Sequence, residues 1–149
     1  MSAQFQLRPV VLEDMQSIAV LMQGLGFDHS VQEITRRWTL IEDRKSNPAL
    51  IALENKLAIG LIALHIAPML FYPQPLARIT TLVVIPNWRR RGVGRALVKA
   101  AENLSTKAGC DTIELTTGTH RKDAHAFYSS LGYENLAQRM EKRIEKTHV

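Results

Sequence analysis

The stretch from Arg78 to Glu102, "RITTLVVIPNWRRRGVGRALVKAAE", commits the chain to a strand, a turn and a helix in immediate succession. Arg78 to Val84 is rich in β-branched residues and predicts a strand, while Val93, Leu97, Ala100, Ala101 and Leu104 fall on one helical face. Between them stand Arg89, Arg90 and Arg91, and Gly92 and Gly94 at the mouth of the helix. The first N–H groups of a helix have no intrahelical acceptor, and the helix dipole places partial positive charge beside them, so this turn favours an anion. Glycines let a bulky oxyanion reach those N–H groups without a Cβ in the way. The three arginines and Arg95 add full charges and planar donor forks suited to phosphate. A basic turn on a solvated surface is the plainer alternative. Against it, a glycine in the first turn of a helix costs about 1 kcal/mol relative to alanine unless close approach requires it.

Two familiar phosphate motifs fit poorly. The Gly-x4-Gly-Lys-Ser/Thr string of a P-loop occurs nowhere in the chain. A dinucleotide fingerprint at Gly92-Val93-Gly94-Arg95-Ala96-Leu97 has leucine where its third glycine or alanine belongs, and Pro86 to Arg91 separate the strand from the first glycine. Glu114 stands near the end of the next strand, as a ribose-binding acid does, but one acid at a strand end is common.

Arg89-Arg90-Arg91-Gly92-Val93-Gly94 resembles the Gln/Arg-x-x-Gly-x-Gly/Ala pyrophosphate motif of the GNAT superfamily of N-acetyltransferases. "TLVVIPNW" before it resembles that family's central strand and the start of its pyrophosphate loop. After the helix come "DTIELTT" (Asp111 to Thr117) and "DAHAFYSSLGYE" (Asp123 to Glu134), the latter similar to the family's closing motif through Ala124, Phe127, Tyr128, Gly132 and Tyr133. The resemblance implies an α/β acyl-CoA N-acyltransferase fold, with a central mixed antiparallel and parallel sheet flanked by helices. It implies acetyl-CoA as co-substrate, direct transfer to an amine, and no metal.

Carried over residue by residue, the resemblance places the coenzyme's pantetheine beside Leu82, Val83 and Val84, with the N–H of Leu82 or Val83 polarising the thioester carbonyl. Its pyrophosphate falls to Arg89, Arg90, Arg91, Gly92, Val93, Gly94 and Arg95. Tyr128 takes the position of the general acid, the alternative being a helix tyrosine packed on the core. Where many relatives carry an acidic base, this chain has Thr80 and Thr81; Glu114 and His65 are the nearest titratable groups by element, and no base is assigned. Arg121 replaces an asparagine that commonly contacts pantetheine, and His125 shares a helix face with Tyr128. The resemblance places acceptor choice in the first two helices, the segments Gly24 to Ser30 and Pro68 to Pro75 and the C-terminal strands, with Phe27, Asp28, His29, Trp38, Phe71 and Tyr72; Phe27 and Trp38 read equally as core residues, the favoured reading for Trp38.

The whole chain agrees with one domain, 1–149: 149 residues, 46% of them hydrophobic, give a sizeable core without any linker-like or repeated segment. The first residues lack the order of a signal peptide and no apolar run approaches the roughly 18 residues of a membrane span, so a cytoplasmic protein is expected. Cys110 reads as a packing residue, and the histidines at 29, 65, 120, 125 and 148 show no zinc-type spacing. The excess of 19 basic over 14 acidic residues gives +5, which admits a nucleic-acid-binding module as a second class. No helix-turn-helix, zinc finger or aromatic platform accompanies the charge, and coenzyme A is itself a polyanion. The expected partners are therefore a small-molecule or peptide amine acceptor, with neither nucleic acid nor membrane, and a homodimer is left open. A catalytically idle acyl-CoA sensor is the other alternative.

The expected element order is a strand at Phe5 to Arg8, a helix from Val11 to Gln23, and a second helix opened by the capping box Ser30-Val31-Gln32-Glu33 and running toward Arg44. "ALIALE" and "LAIGLIALHIA" form a hairpin around Glu54-Asn55-Lys56, and the proline-rich loop Pro68 to Pro75 leads to the central strand. A crossover from Val83 through Leu97 to Ile113 makes a parallel pair. The helix carrying Tyr128 ends near Gly132, and the tail "YENLAQRMEKRIEK" reads equally as two short strands or as helix.

Overall fold

The computed structural model describes residues 4–117 and 121–145. His120 and His148 lie outside the described residues. The chain divides into two compact units, Met1–Leu115 and Thr116–Val149.

The first unit is a five-stranded sheet in the order β1-β2-β3-β4-β5, with β1 at Gln6–Pro9, β2 at Ala49–Glu54, β3 at Leu57–Ala67, β4 at Leu76–Val84 and β5 at Thr112–Glu114. The first four strands are antiparallel neighbours and β5 is parallel to β4, so the mixed sheet expected from the sequence is the one found. Helices α1 (Met15–Gln23) and α2 (Val31–Leu40) connect β1 to β2, and α3 (Val93–Lys107) makes the crossover from β4 to β5. α1 and α2 bury Met15, Ile18, Leu21 and Ile34 against Ile51, Leu61 and Val83 on one sheet face. Successive strand residues point to opposite faces. Gly60, next to Leu61, accordingly points the other way, and there α3 lies on it: a Cβ at Gly60 would sit 3.1 Å from both Val93 and Leu97 and 3.2 Å from the Val83 carbonyl. Val93 and Leu97 are 1% and 0% exposed, so the first turns of α3 are held against the sheet by a contact that a larger residue would crowd.

Several boundaries differ from expectation for local reasons. The first helix is preceded by a 3-10 turn at Leu12–Asp14, because Asp14 is engaged elsewhere. Its carboxylate, only 6% exposed, accepts from Arg8 Nη1 and Nη2 at 2.7 and 2.8 Å and from the Val11 N–H at 2.8 Å, tying β1 to the start of α1. Ser30 caps α2 by accepting from the Glu33 N–H at 3.1 Å, while the Glu33 carboxylate turns to Arg36 and Arg37 at 3.4 and 3.6 Å. α2 stops at Leu40 instead of running toward Arg44: the Asp43 carboxylate captures the N–H groups of Lys45 and Ser46, a local bond that competes with helix. Arg44 folds back over the Trp38 ring at 3.7 Å and donates to the Trp38 carbonyl at 3.0 Å, and Trp38 packs half-buried against the core.

β5 is shorter than "DTIELTT" predicts, pairing only Leu76, Ala77 and Arg78 with Thr112, Ile113 and Glu114. Beyond Arg78 the β3–β4 register shifts between Ala63 and Leu64, leaving Thr80 as the extra residue of a β-bulge whose hydroxyl donates to the Ala63 carbonyl at 3.2 Å. In the second unit α4 covers Lys122–Ser130, and the N–H groups of Gly132 and Tyr133 close it on Ser129 and Tyr128 at 3.0 Å. Residues 134–145 form neither the strands nor the helix that their pattern allowed, and Leu136, Met140 and Ile144 stay exposed. No helix among the described residues is long and apolar enough to cross a membrane.

Two outcomes test this packing. Gly60→Val overfills the α3–β3 contact and lowers unfolding free energy by about 1–3 kcal/mol in a denaturant titration. Arg8 first, then the Val11 N–H, hold the folded pKa of Asp14 below the ordinary carboxylate range. The stability it contributes is therefore complete above that range and is lost as pH falls through the depressed value. Asp14→Asn costs about 1–3 kcal/mol at pH 7 and flattens that part of the acid limb of stability against pH.

Candidate functional site

The site begins at the outer edge of β4. Because β5 stops opposite Arg78, Thr81 to Val84 pair with β3 alone among the described residues. The Ile85 N–H bonds to the Ile59 carbonyl at 3.0 Å, and backbone groups of an antiparallel strand alternate in direction. Val83 and Thr81 therefore face β3, and Leu82 and Val84 turn their N–H and C=O groups to the open edge. Of the two N–H groups named from the sequence, that of Leu82 is the one turned to the open edge. The Val83 side chain belongs to the core under α1, so its part is structural packing.

From β4 the chain passes through a 3-10 turn at Pro86–Trp88, closed by the Trp88 N–H on Ile85 at 3.0 Å and the Arg89 N–H on Pro86 at 3.2 Å. Two residues then take left-handed backbone angles, Arg90 with φ 61° and Gly92 with φ 87°. Such a left-handed turn gathers successive N–H groups into a concave donor surface. Gly92 is the N-cap of α3 and its carbonyl accepts from the Ala96 N–H at 3.0 Å, the first bond of the helix. The N–H groups of Val93, Gly94 and Arg95 have no acceptor within the helix, Gly92 has no side chain to cap them, and no acidic residue occupies the first turn. A helix of 15 residues thus directs its positive end at an uncapped glycine turn.

The arginines divide their work. Arg89 Nε donates to the outward-facing Val84 carbonyl at 3.2 Å, and the Arg91 guanidinium stacks 3.7 Å over the Trp88 ring. Trp88 is itself buried and meets Phe5 edge-on at 6.5 Å. Arg90 and Arg95 are exposed. Sequence reasoning found all four cations but missed Trp88, the platform that orients Arg91, and Gly60, whose place inside a strand was the available sign of a close approach.

The other candidates fall in three places. On the sheet, Arg78 and Glu114 form an ion pair at 3.1 Å, and His65 Nδ1 meets Asn47 Oδ1 at 2.8 Å. At the surface, Phe27 stacks on His29 with centroids 5.7 Å apart, and Phe71 and Tyr72 are exposed in the β3–β4 loop. Cys110 is half-buried and burial raises its thiol pKa, in keeping with packing. In the second unit Tyr128 meets Tyr133 edge-on at 5.6 Å; burial raises its pKa, and Arg121 only partly offsets this, so the phenol stays protonated. His125 is half-buried with Nε2 2.8 Å from Thr117 Oγ1.

A family model described as the acetyltransferase (GNAT) family matches residues 12–133. Over 94 residues the chain is 35% identical to an aminoalkylphosphonate N-acetyltransferase of Salmonella typhimurium, a match covering 63% of this chain and 61% of that relative, less than two thirds of its length. A solved structure of an Agrobacterium tumefaciens protein superposes with a TM-score of 0.84 at 27% identity, covering 93% of this chain and 99% of the other. Glucosamine-6-phosphate N-acetyltransferase from Arabidopsis thaliana shares the fold at a TM-score of 0.82 and 19% identity, covering 95% and 99%.

Proposed function

The chain belongs to the GNAT acetyltransferase family, and from that premise we propose that it moves an acetyl group from acetyl-CoA to a primary amine of a small molecule or peptide, by direct attack in a ternary complex. The observation that carries this reading is the uncapped N-terminus of α3 standing after the open edge of β4. It supplies donors for a pyrophosphate at one end and unpaired strand groups for an amide-bearing arm along the other, the two chemistries of coenzyme A. Residues 1–149 are proposed to act as one catalytic domain.

Acetyl-CoA, when bound, supplies the acyl group activated as a thioester. Val93, Gly94 and Arg95 hold the pyrophosphate through backbone N–H groups, with Arg89, Arg90 and Arg91 adding charge. Leu82 and Val84 would hold the pantetheine amides, and the Leu82 N–H would supply a fixed donor for the charge that develops on the thioester oxygen on attack. Holding amine and thioester together removes the entropic cost of their encounter. Tyr128 protonates the departing thiolate. The aminoalkylphosphonate named for the Salmonella relative is one acceptor to try first.

Calorimetric titration with acetyl-CoA, with a short DNA duplex as control at physiological salt, tests the reading: saturable one-to-one acetyl-CoA binding is expected, and salt-sensitive DNA binding alone overturns it. Gly94→Val places a side chain among the free N–H groups and weakens acetyl-CoA at least roughly tenfold, about 1.4 kcal/mol, without changing the thermal unfolding midpoint by more than a few degrees. An unaltered affinity would remove the helix N-terminus from the site. Tyr128→Phe lowers kcat roughly 100-fold while acetyl-CoA affinity stays within about twofold. Because the raised pKa of Tyr128 extends its protonated form upward, turnover should fall on the alkaline side only beyond the ordinary phenol range, and this limb should vanish in Tyr128→Phe.

A further inference from the structure

The sheet face that carries Leu61 and Val83 continues along β3 and β4 through Ala63 opposite Thr81 and, past the bulge, to His65 opposite Arg78. His65 is exposed there, but its ring is held by a built turn. The Asp43 carboxylate accepts from the Lys45 and Ser46 N–H groups at 3.1 and 3.2 Å and from Ser46 Oγ at 2.7 Å. The same turn runs along β3 on both sides of His65, its Pro48 and Ser46 carbonyls accepting from Leu64 and Ile66 at 2.9 and 2.7 Å. Within it Asn47 Nδ2 donates to the Asp43 carbonyl at 3.0 Å, which fixes the amide's orientation and turns Oδ1 to His65 Nδ1 at 2.8 Å. An amide oxygen only accepts, so Nδ1 carries the proton, and the lone pair of the neutral imidazole lies on Nε2.

We infer that His65 is the general base of the transfer and that Asn47 is the positioning residue that selects its tautomer. The inference rests on the acetyltransferase reading above. His65 lies two residues along and one strand across from Thr81, a Cα separation of about 8 Å, which an amine and one water span. Nε2, directly or through that water, takes one proton from the acceptor's ammonium group and returns it to solvent. The neutral nitrogen then forms the C–N bond as the C–S bond breaks, the thiolate takes the Tyr128 proton, and the second proton lost by nitrogen restores the phenol through solvent. The charged groups around His65 are Arg78 on β4 and, in the turn, Asp43 and Lys45; Glu114 on β5, the rival base, has its carboxylate on Arg78 at 3.1 Å.

His65→Gln is expected to lower kcat roughly 100-fold with acetyl-CoA affinity unchanged, and added imidazole, or a pH high enough to deprotonate the amine in solution, restores part of the rate. Asn47→Ala lowers kcat less, and Asn47→Asp, which keeps an acceptor, retains more of it. A merely structural histidine shows no imidazole rescue. Nitrogen-15 NMR of the unmodified protein reads the tautomer without turnover, with the Nδ1–H form expected for His65 and the Nε2–H form overturning the inference. Wild-type turnover in His65→Gln also overturns it while leaving the acetyltransferase reading intact. An unmodified protein that binds acetyl-CoA but acetylates no amine removes both.

Discussion

The absence of a side chain at Gly60 lets α3 settle directly on β3, and the rest of the site depends on that contact. Val93 and Leu97, the residues in contact, belong to the first two turns of the helix, so the packing fixes the end that carries the free N–H groups and not some distant part of it. A helix N-terminus attracts anions only within about a turn of its end, so its position must be held to within the reach of a hydrogen bond. Burial of apolar side chains supplies that precision here, and the cations add attraction around a place already set. The arginines' own bonds agree with this order: Arg89 holds the Val84 carbonyl and Arg91 lies on Trp88.

The bulge at Thr80 does the complementary work on β4. By inserting one residue it breaks the ladder just where β5 stops, and the strand emerges beyond it with one side paired and the other open. An open strand edge inside a protein is ordinarily a liability, because its donors and acceptors are unmet. In this chain a short turn, Ile85 to Gly92, joins the opening to the helix, so the outward groups of the strand and the free N–H groups of the helix stand close together in sequence. On the proposed reading, one extended anionic ligand meets both.

Much of this was legible from the residues. Apolar and β-branched runs marked β2, β3 and β4 close to their limits, and the helical face of α3 was visible in Val93, Leu97, Ala101 and Leu104. The anion turn was legible because its signal is local: glycines, arginines and a helix start within a few positions. Much of what was not legible depended on distance along the chain. Asn47 and His65 are 18 residues apart, and no periodicity announces that an amide in one turn selects the tautomer of a strand histidine. β5 stops opposite Arg78, just short of the bulge at Thr80, on a strand that precedes it by a whole helix. The early end of α2 was a missed competition, in which Asp43 offered Lys45 and Ser46 a closer partner than the helix did. Tyr128 was marked by its motif, whereas the burial that keeps it protonated is a property of the fold.

The strands lie across the sheet in the order in which they occur in the chain. No strand has to be threaded between two others already paired, so the sheet can grow by adding each new strand to its current edge. β2, β3 and β4 are joined by a tight turn and a short loop, and such near neighbours meet at little cost in chain entropy. During synthesis the growing edge would arrive at β4 before α3 has left the ribosome, with only β5 still to come from beyond a helix. The strand that presents the site is thus the last edge formed by local pairing, and the crossover that follows completes the sheet while covering only part of that edge.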